Sequence, residues 1–254
     1  MKNLSRRSRE ELNASFFHVM CQGINKEMIF ANDMLKRKYL ALMKKYINDV
    51  DLDIICYCIM SNHTHILIHT ESIAQMSKYM KCINTEFAQF YNWKMERVGF
   101  VFRDRFKSQP IYDEKYLFQC INYIHKNPVK AKIVKKCSDY EYSSYNNFSR
   151  NIFLRESPFL EHFFGKTDIT QIESVDVCND FLDVEYDKDY VMEEYIMKFC
   201  QSKKMSLEEV LNEKDKRNDL IRLLLKSEFI CKKDIQKKLN ISYWKVVRAA
   251  EENM

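Results

Sequence analysis

Glycine and proline are scarce in this chain, with three of each among 254 residues, so tight turns are few and long regular elements are expected. A phosphate-cradling glycine-rich loop is absent, which removes the usual nucleotide-binding classes. Cysteine is present, but the nine residues are odd in number and no Cys-x-x-Cys pair occurs. A disulfide scaffold or zinc knuckle is therefore not the expectation, and the cysteines read as reduced packing residues. No apolar run approaches the length of a membrane span, and Met1-Lys2-Asn3-Leu4-Ser5-Arg6-Arg7 leads into polar residues, which predicts a cytoplasmic protein with no membrane partner.

What is present is a globular composition: 46% hydrophobic residues and 13% aromatics, with a formal net charge of +5. That charge is unevenly spread. Residues 1–150 carry 24 Lys and Arg against 15 Asp and Glu, residues 151–200 carry 4 against 12, and residues 201–254 carry 13 against 9. Two basic blocks around an acidic section point to two surfaces that meet polyanions, or to two ordinarily solvated faces.

The pattern predicts an α+β fold, an antiparallel sheet with helices packed on it over 1–150. An acidic connector with a short helix follows over 151–189, and an all-α domain over 190–254. Residues 1–14 read as a basic arm, in which Arg6, Arg7 and Arg9 could touch phosphates. Ser15–Ile24 reads as a strand, Asn32 or Asp33 can cap a helix to about Asn48, and 71–97 has the apolar spacing of one long helix. Leu52–Met60 and His63–Thr70 read as a strand pair. Alternation sends His63 and His65 to one face, where they either share a cation or sit as two hydrogen-bonded buried histidines.

After Gly99, Phe100–Ser108 alternates aromatics with cations, predicting a strand with Arg103, Arg105 and Lys107 on one side. Such a row is a track for a DNA backbone or a charged edge that resists aggregation. Asp113 or a neighbour then starts a helix that brings Tyr123 and Asn127, four apart, to one face and ends at Pro128.

The carboxylates of 176–189 read as a connector and not as metal ligands, and Phe159, Leu160, Phe163 and Phe164 as a short packed helix. Ser206-Leu207-Glu208-Glu209 fits a capping box. Cys231–Leu239, a break at Asn240-Ile241, and Ser242–Ala250 have the spacing of a helix-turn-helix or of a plain helical bundle. In the first reading Trp244 and Val247 pack inward while Tyr243, Lys245 and Arg248 face a DNA groove.

Three ordered stretches, Met60-Ser61-Asn62-His63-Thr64-His65-Ile66-Leu67-Ile68, then Tyr123-Ile124-His125-Lys126-Asn127-Pro128-Val129-Lys130-Ala131, then Asp139-Tyr140-Glu141-Tyr142-Ser143-Ser144-Tyr145, resemble the single-tyrosine HUH transposases. Within them the chain is most similar to the REP-associated tyrosine branch of the insertion-sequence-200-like class, over roughly residues 13 to 148. Thr64 departs from the bulky apolar residue usual between the two histidines, on the side facing away from the metal. The resemblance implies a ferredoxin-like or RRM-like core with Tyr123 as nucleophile. It implies a divalent cation, Mg2+ or Mn2+, held by His63, His65 and Asn127. It also implies cleavage and rejoining of single-stranded, hairpin-bearing DNA through a 5′-phosphotyrosine. Lys126 and Lys130 then join Arg103, Arg105 and Lys107 as DNA contacts, and the protein acts as a monomer or homodimer. A domesticated hairpin-binding protein that does not cut, and a site-specific nickase of replication or conjugation, are the alternatives.

Overall fold

The computed structural model describes residues 14–148, 150, 152–164, 181–183, 188–225 and 230–251. The basic arm with Arg6, Arg7 and Arg9, the side chains of Phe163 and Phe164, and most of the 176–189 connector lie outside these residues. The chain divides into two compact units, Met1–Pro128 with Lys136–Asp183, and Val129–Lys135 with Val184–Met254. Among the described residues no helix is long and apolar enough to cross a membrane.

The first unit runs β1 (Phe16–Gln22), α1 (Asp33–Tyr46), β2 (Asp53–Ile59), β3 (His63–His69), α2 (Ile73–Lys94), β4 (Lys107–Ile111) and α3 (Glu114–Lys130). The four strands form an antiparallel sheet in the order β2-β3-β1-β4, the ferredoxin-like arrangement that the resemblance implied. Asn32 caps α1, its Oδ1 accepting from Leu35 N at 3.0 Å, and Ser72 caps α2 in the same way through Gln75 N at 3.4 Å.

Both faces of the sheet are covered, which is why β2 reads as an unbroken buried run. α1 and α2 cover the face bearing Cys21 and Thr64. There Tyr39 donates to Asn84 Oδ1 at 2.9 Å, Asn84 reaches Cys21 Sγ at 3.2 Å, and the rings of Phe30, Tyr39 and Phe87 pack edge-on or tilted with centroids within 5.3 Å of one another. Thr64 is fully buried on this side, so its departure from the family pattern leaves the histidine face untouched. α3 covers the other face.

Two expected elements differ. The strand predicted from Phe100 begins only at Lys107; the preceding residues form bends, with Phe102 bridging Gly23 and its ring packed on Phe30 and Phe87 at 6.5 and 5.9 Å. Arg103 and Arg105 therefore sit in a loop and not on one side of a strand. β4 contains Pro110, tolerated because β4 lies at the sheet edge. Second, Pro128 does not stop its helix: α3 continues to Lys130, the proline costing only the hydrogen bond its nitrogen cannot donate.

Residues after α3 return to the free edge of β2. Ile59 N donates to Tyr142 O at 2.9 Å, Ser144 N to Tyr57 O at 2.9 Å, Tyr57 N to Ser144 Oγ at 2.9 Å, and Tyr140 Oη to Ile59 O at 2.8 Å. The tyrosines of this segment pack and bond the backbone. α4 (Tyr145–Phe148) and α5 (Pro158–Phe164) follow, with Leu160 buried and Phe159 stacked on His69 at 3.7 Å.

The second unit is helical: α6 (Lys188–Lys203), α7 (Leu207–Asn212), α8 (Lys214–Leu225), α9 (Lys232–Leu239) and α10 (Tyr243–Glu251). The capping box forms, Ser206 Oγ accepting from Glu209 N at 3.2 Å while Glu209 accepts from Ser206 N at 2.7 Å. Asn240 closes α9 in the left-handed region at φ 49°, giving the short break before α10.

Candidate active site

His63 and His65 stand two residues apart in β3, opposite Gln22 and Met20 of β1, and point to the α3 side of the sheet. Both are fully buried, and their rings lie 4.8 Å apart and perpendicular. Asn62 Nδ2 donates to Lys26 O at 3.4 Å, which turns its Oδ1 toward His63 Nδ1 at 2.6 Å. His63 Nδ1 is then the protonated nitrogen, and Nε2 carries the lone pair.

His65 has a different partner, one that no local sequence pattern pointed to. His18 of β1, two residues from the register partner of His65, lies on the same face; its Nε2 is 2.9 Å from His65 Nδ1 and the rings stack at 5.1 Å. The pair shares one proton between these nitrogens, and only the arrangement with the proton on His65 leaves His65 Nε2 as a lone pair. Burial lowers the His63 pKa to about 4 and that of His18 to about 3, so both are neutral near pH 7.

Tyr123 and Asn127 project from one face of α3 onto this group. The Tyr123 ring lies 5.6 Å from His65 and 5.9 Å from His18, all in one chain, and Asn127 is fully buried with Nδ2 donating to Tyr123 O at 3.2 Å. The phenol donates to Leu182 O at 3.2 Å. Its pKa is pushed well above the usual tyrosine value, first by burial, then by the charge and hydrogen bond of Asp183; Asn127 acts in the opposite sense.

Phe181, Leu182 and Asp183 belong to the acidic stretch, which on sequence grounds reads as a connector and not as a source of metal ligands. Phe181 is buried against Tyr116 at 4.6 Å, Tyr123 at 5.1 Å and His18 at 5.9 Å, and Leu182 N donates to Gln109 Oε1 at 3.1 Å. Asp183 is close enough to raise the His63 pKa against the effect of burial. Nothing local in the sequence marks these residues; they reach Tyr123 from 59 positions along the chain.

Among the described residues no group of three His, Cys, Asp or Glu side chains is arranged to hold a metal ion. Two neutral imidazoles with Nδ1 nitrogens engaged behind them, beside a buried carboxamide, nevertheless fit a divalent cation in chemistry. Two other histidines are occupied elsewhere: His69 Nδ1 lies 3.5 Å from Asp53, and His125 Nε2 lies 3.0 Å from Ser144 Oγ.

Of the expected DNA contacts, Lys107 pairs with Met20 in the sheet, and its side chain shares the face of His65. Arg103 is exposed in the preceding loop with its Nε 3.7 Å from Asp104, Arg105 is exposed beside it, and Lys126 and Lys130 are exposed on α3. In the second unit Tyr243, Lys245 and Arg248 are exposed on α10. Trp244 is not packed inward: it is 71% exposed, and Val246 and Ala249 make the buried stripe.

The family described as "Transposase IS200 like" matches residues 12–127. A solved structure titled "Structure of the REP associates tyrosine transposase bound to a REP hairpin" is similar at 17% identity and a TM-score of 0.46, covering 57% of this chain and 87% of that one. No curated protein sequence matches the chain. This chain therefore carries, over residues 12–127, a segment that matches the IS200-like transposase family.

Proposed function

We propose that this protein cleaves and rejoins single-stranded DNA at hairpin-bearing sites, with Tyr123 as nucleophile. The observation that carries the reading is the meeting of the Tyr123 ring with the paired imidazoles on one buried face, 5.6 Å from His65. In cleavage the Tyr123 oxygen bonds to the phosphorus and the P–O3′ bond breaks. The 3′ oxygen leaves, takes up a proton from solvent to become a hydroxyl, and the 5′ end remains as a phosphotyrosine. Attack by a second 3′-hydroxyl reverses the step and joins new ends, so no nucleotide cofactor is consumed.

His63, His65 and Asn127 would hold a divalent cation, Mg2+ or Mn2+, which when bound withdraws charge from the scissile phosphate. The chain's own groups do the rest. Asp183, whose carboxylate adjoins the phenol, is the base for its proton once the bond from the phenol to Leu182 O has broken. Lys107, Arg103, Arg105, Lys126 and Lys130 supply cations for the phosphate backbone, and Tyr243, Lys245 and Arg248 on α10 a further contact.

The capped phenol also favours a second reading, a hairpin-binding protein that does not cut. Incubation with labelled hairpin-bearing single strands and Mn2+ separates the two. A covalent adduct present with the native protein and absent in Tyr123→Phe supports cleavage; tight binding with no adduct supports the second reading and refutes the first.

A further inference from the structure

The end of α2 and the loop that follows it are fixed along the backbone and still turn Trp93, Val98 and Phe100 into solvent. At the end of α2, Met95 N donates to Tyr91 O at 2.9 Å and Arg97 N to Asn92 O at 3.0 Å, with Glu96 left-handed at φ 50°. Asn92 Nδ2 donates to the carbonyl of Gly99, whose φ of 107° favours glycine, at 2.8 Å. Arg97 grips both Glu27 oxygens at 2.6 Å and Phe100 O at 3.1 Å. Past the turn, Ile24 N donates to Val101 O at 2.9 Å and Arg103 N to Gln22 O at 2.8 Å.

On this fixed frame Trp93 is 72% exposed, Val98 93% and Phe100 82%. Single apolar residues on a surface are ordinary; three between 93 and 100, from the last turn of α2 into the ordered loop after it, make a contact surface whose ordering entropy is already spent before binding.

Charge and position identify the occupant. The segment 93–107 holds Lys94, Arg97, Arg103, Arg105 and Lys107 against Glu96 and Asp104, and Lys94 Nζ lies 6.0 Å from the centre of the Trp93 ring. Aromatic faces among cations suit a polyanion with unstacked bases, since every base offers a π face. The turn joins the sheet at Gln22, the register partner of His63, and leads through Arg103 to Lys107 on the His65 face.

We propose that the Trp93–Phe100 turn is a stacking platform for unpaired bases of single-stranded DNA, from which the backbone runs along Arg103 and Lys107 toward Tyr123. This rests on the reading of the Tyr123 site as a DNA-cleaving one.

The test uses the full chain with Trp244→Phe, which leaves Trp93 as its one tryptophan. Adding hairpin-bearing DNA with a single-stranded flank should quench Trp93 emission, whereas blunt duplex should not. Trp93→Ala with Phe100→Ala should weaken binding of the flanked hairpin by at least about tenfold. Both side chains face solvent, so the melting temperature should hold. Unchanged affinity and no quenching, in a protein that still forms the Tyr123 adduct, overturns the platform and leaves the cleavage reading standing. If the double variant instead turns a sedimenting dimer into a monomer with DNA affinity intact, the turn is a contact between copies and the proposal is overturned. Loss of adduct and DNA binding in the native protein itself would remove both readings.

Discussion

Replacing His18 with phenylalanine is the perturbation that reads the histidine cluster most directly. Phenylalanine keeps a ring of similar size against His65, Tyr123 and Phe181, which surround His18 at 5.1 to 5.9 Å, and removes the nitrogen 2.9 Å from His65 Nδ1. A cation on His65 Nε2 forces the proton onto Nδ1, which in the variant is a buried donor whose acceptor has been removed. An unmet buried donor costs about 1–3 kcal/mol, so Mn2+ affinity should fall about 5- to 150-fold. Electron paramagnetic resonance counts free Mn2+ during titration of the uncleaved, DNA-free protein, independently of activity. His18→Gln, which restores an amide oxygen, should recover part of the affinity. Native-like affinity in His18→Phe, with the thermal melt unchanged, would refute the argument that His18 sets the tautomer of its neighbour.

Other outcomes follow from geometry already described. Burial lowers the pKa of His125 to about 3, so the unfolded chain takes up a proton near pH 6.5 that the folded chain refuses. Its contribution is fully present above pH 6.5 and is lost as pH falls, by about 2 kcal/mol at pH 5. Urea midpoints at pH 7 and pH 5 should show a drop to which the buried His18 and His63 also contribute, and His125→Gln should shrink it; equal drops in both proteins would contradict the assignment. Neutralising Arg103, Arg105 and Lys107 together should flatten the slope of log affinity against log salt by about 0.7 for each DNA phosphate left without its cation. An unchanged slope would remove these side chains from the DNA track. Ser206→Ala, which opens the capping box of α7, should cost about 1 kcal/mol in a denaturant melt; no change would mean that the cap adds nothing to stability.

The two halves of the site are legible in the sequence to different degrees. β2 and β3 announce themselves by the apolar runs on either side of His63 and His65, and the spacing of Tyr123 and Asn127 fixes their common face of α3. His18 stays hidden because its place beside His65 depends on the β1–β3 register, which no local pattern states. The aromatic and cation alternation after Gly99 imitates a strand, yet Phe102 turns inward onto Phe30 and Phe87 and the chain bends instead. Trp244 misleads for a related reason: hydrophobicity says core, whereas the helical stripe that meets its neighbours is Val246 and Ala249. Asp183 carries no local mark at all, since its meeting with Tyr123 is made only by the fold.

The Tyr140–Ser144 return along β2 has a practical corollary. A fragment trimmed to the family-matched segment would end at Asn127 and strip the outermost strand of its cover, leaving the amides and carbonyls of Tyr57 and Ile59 bare. Such a truncated piece should clump through strand-to-strand growth during purification. For this chain the smallest workable minimal domain therefore extends past the motif that defines its kinship, at least to Phe148.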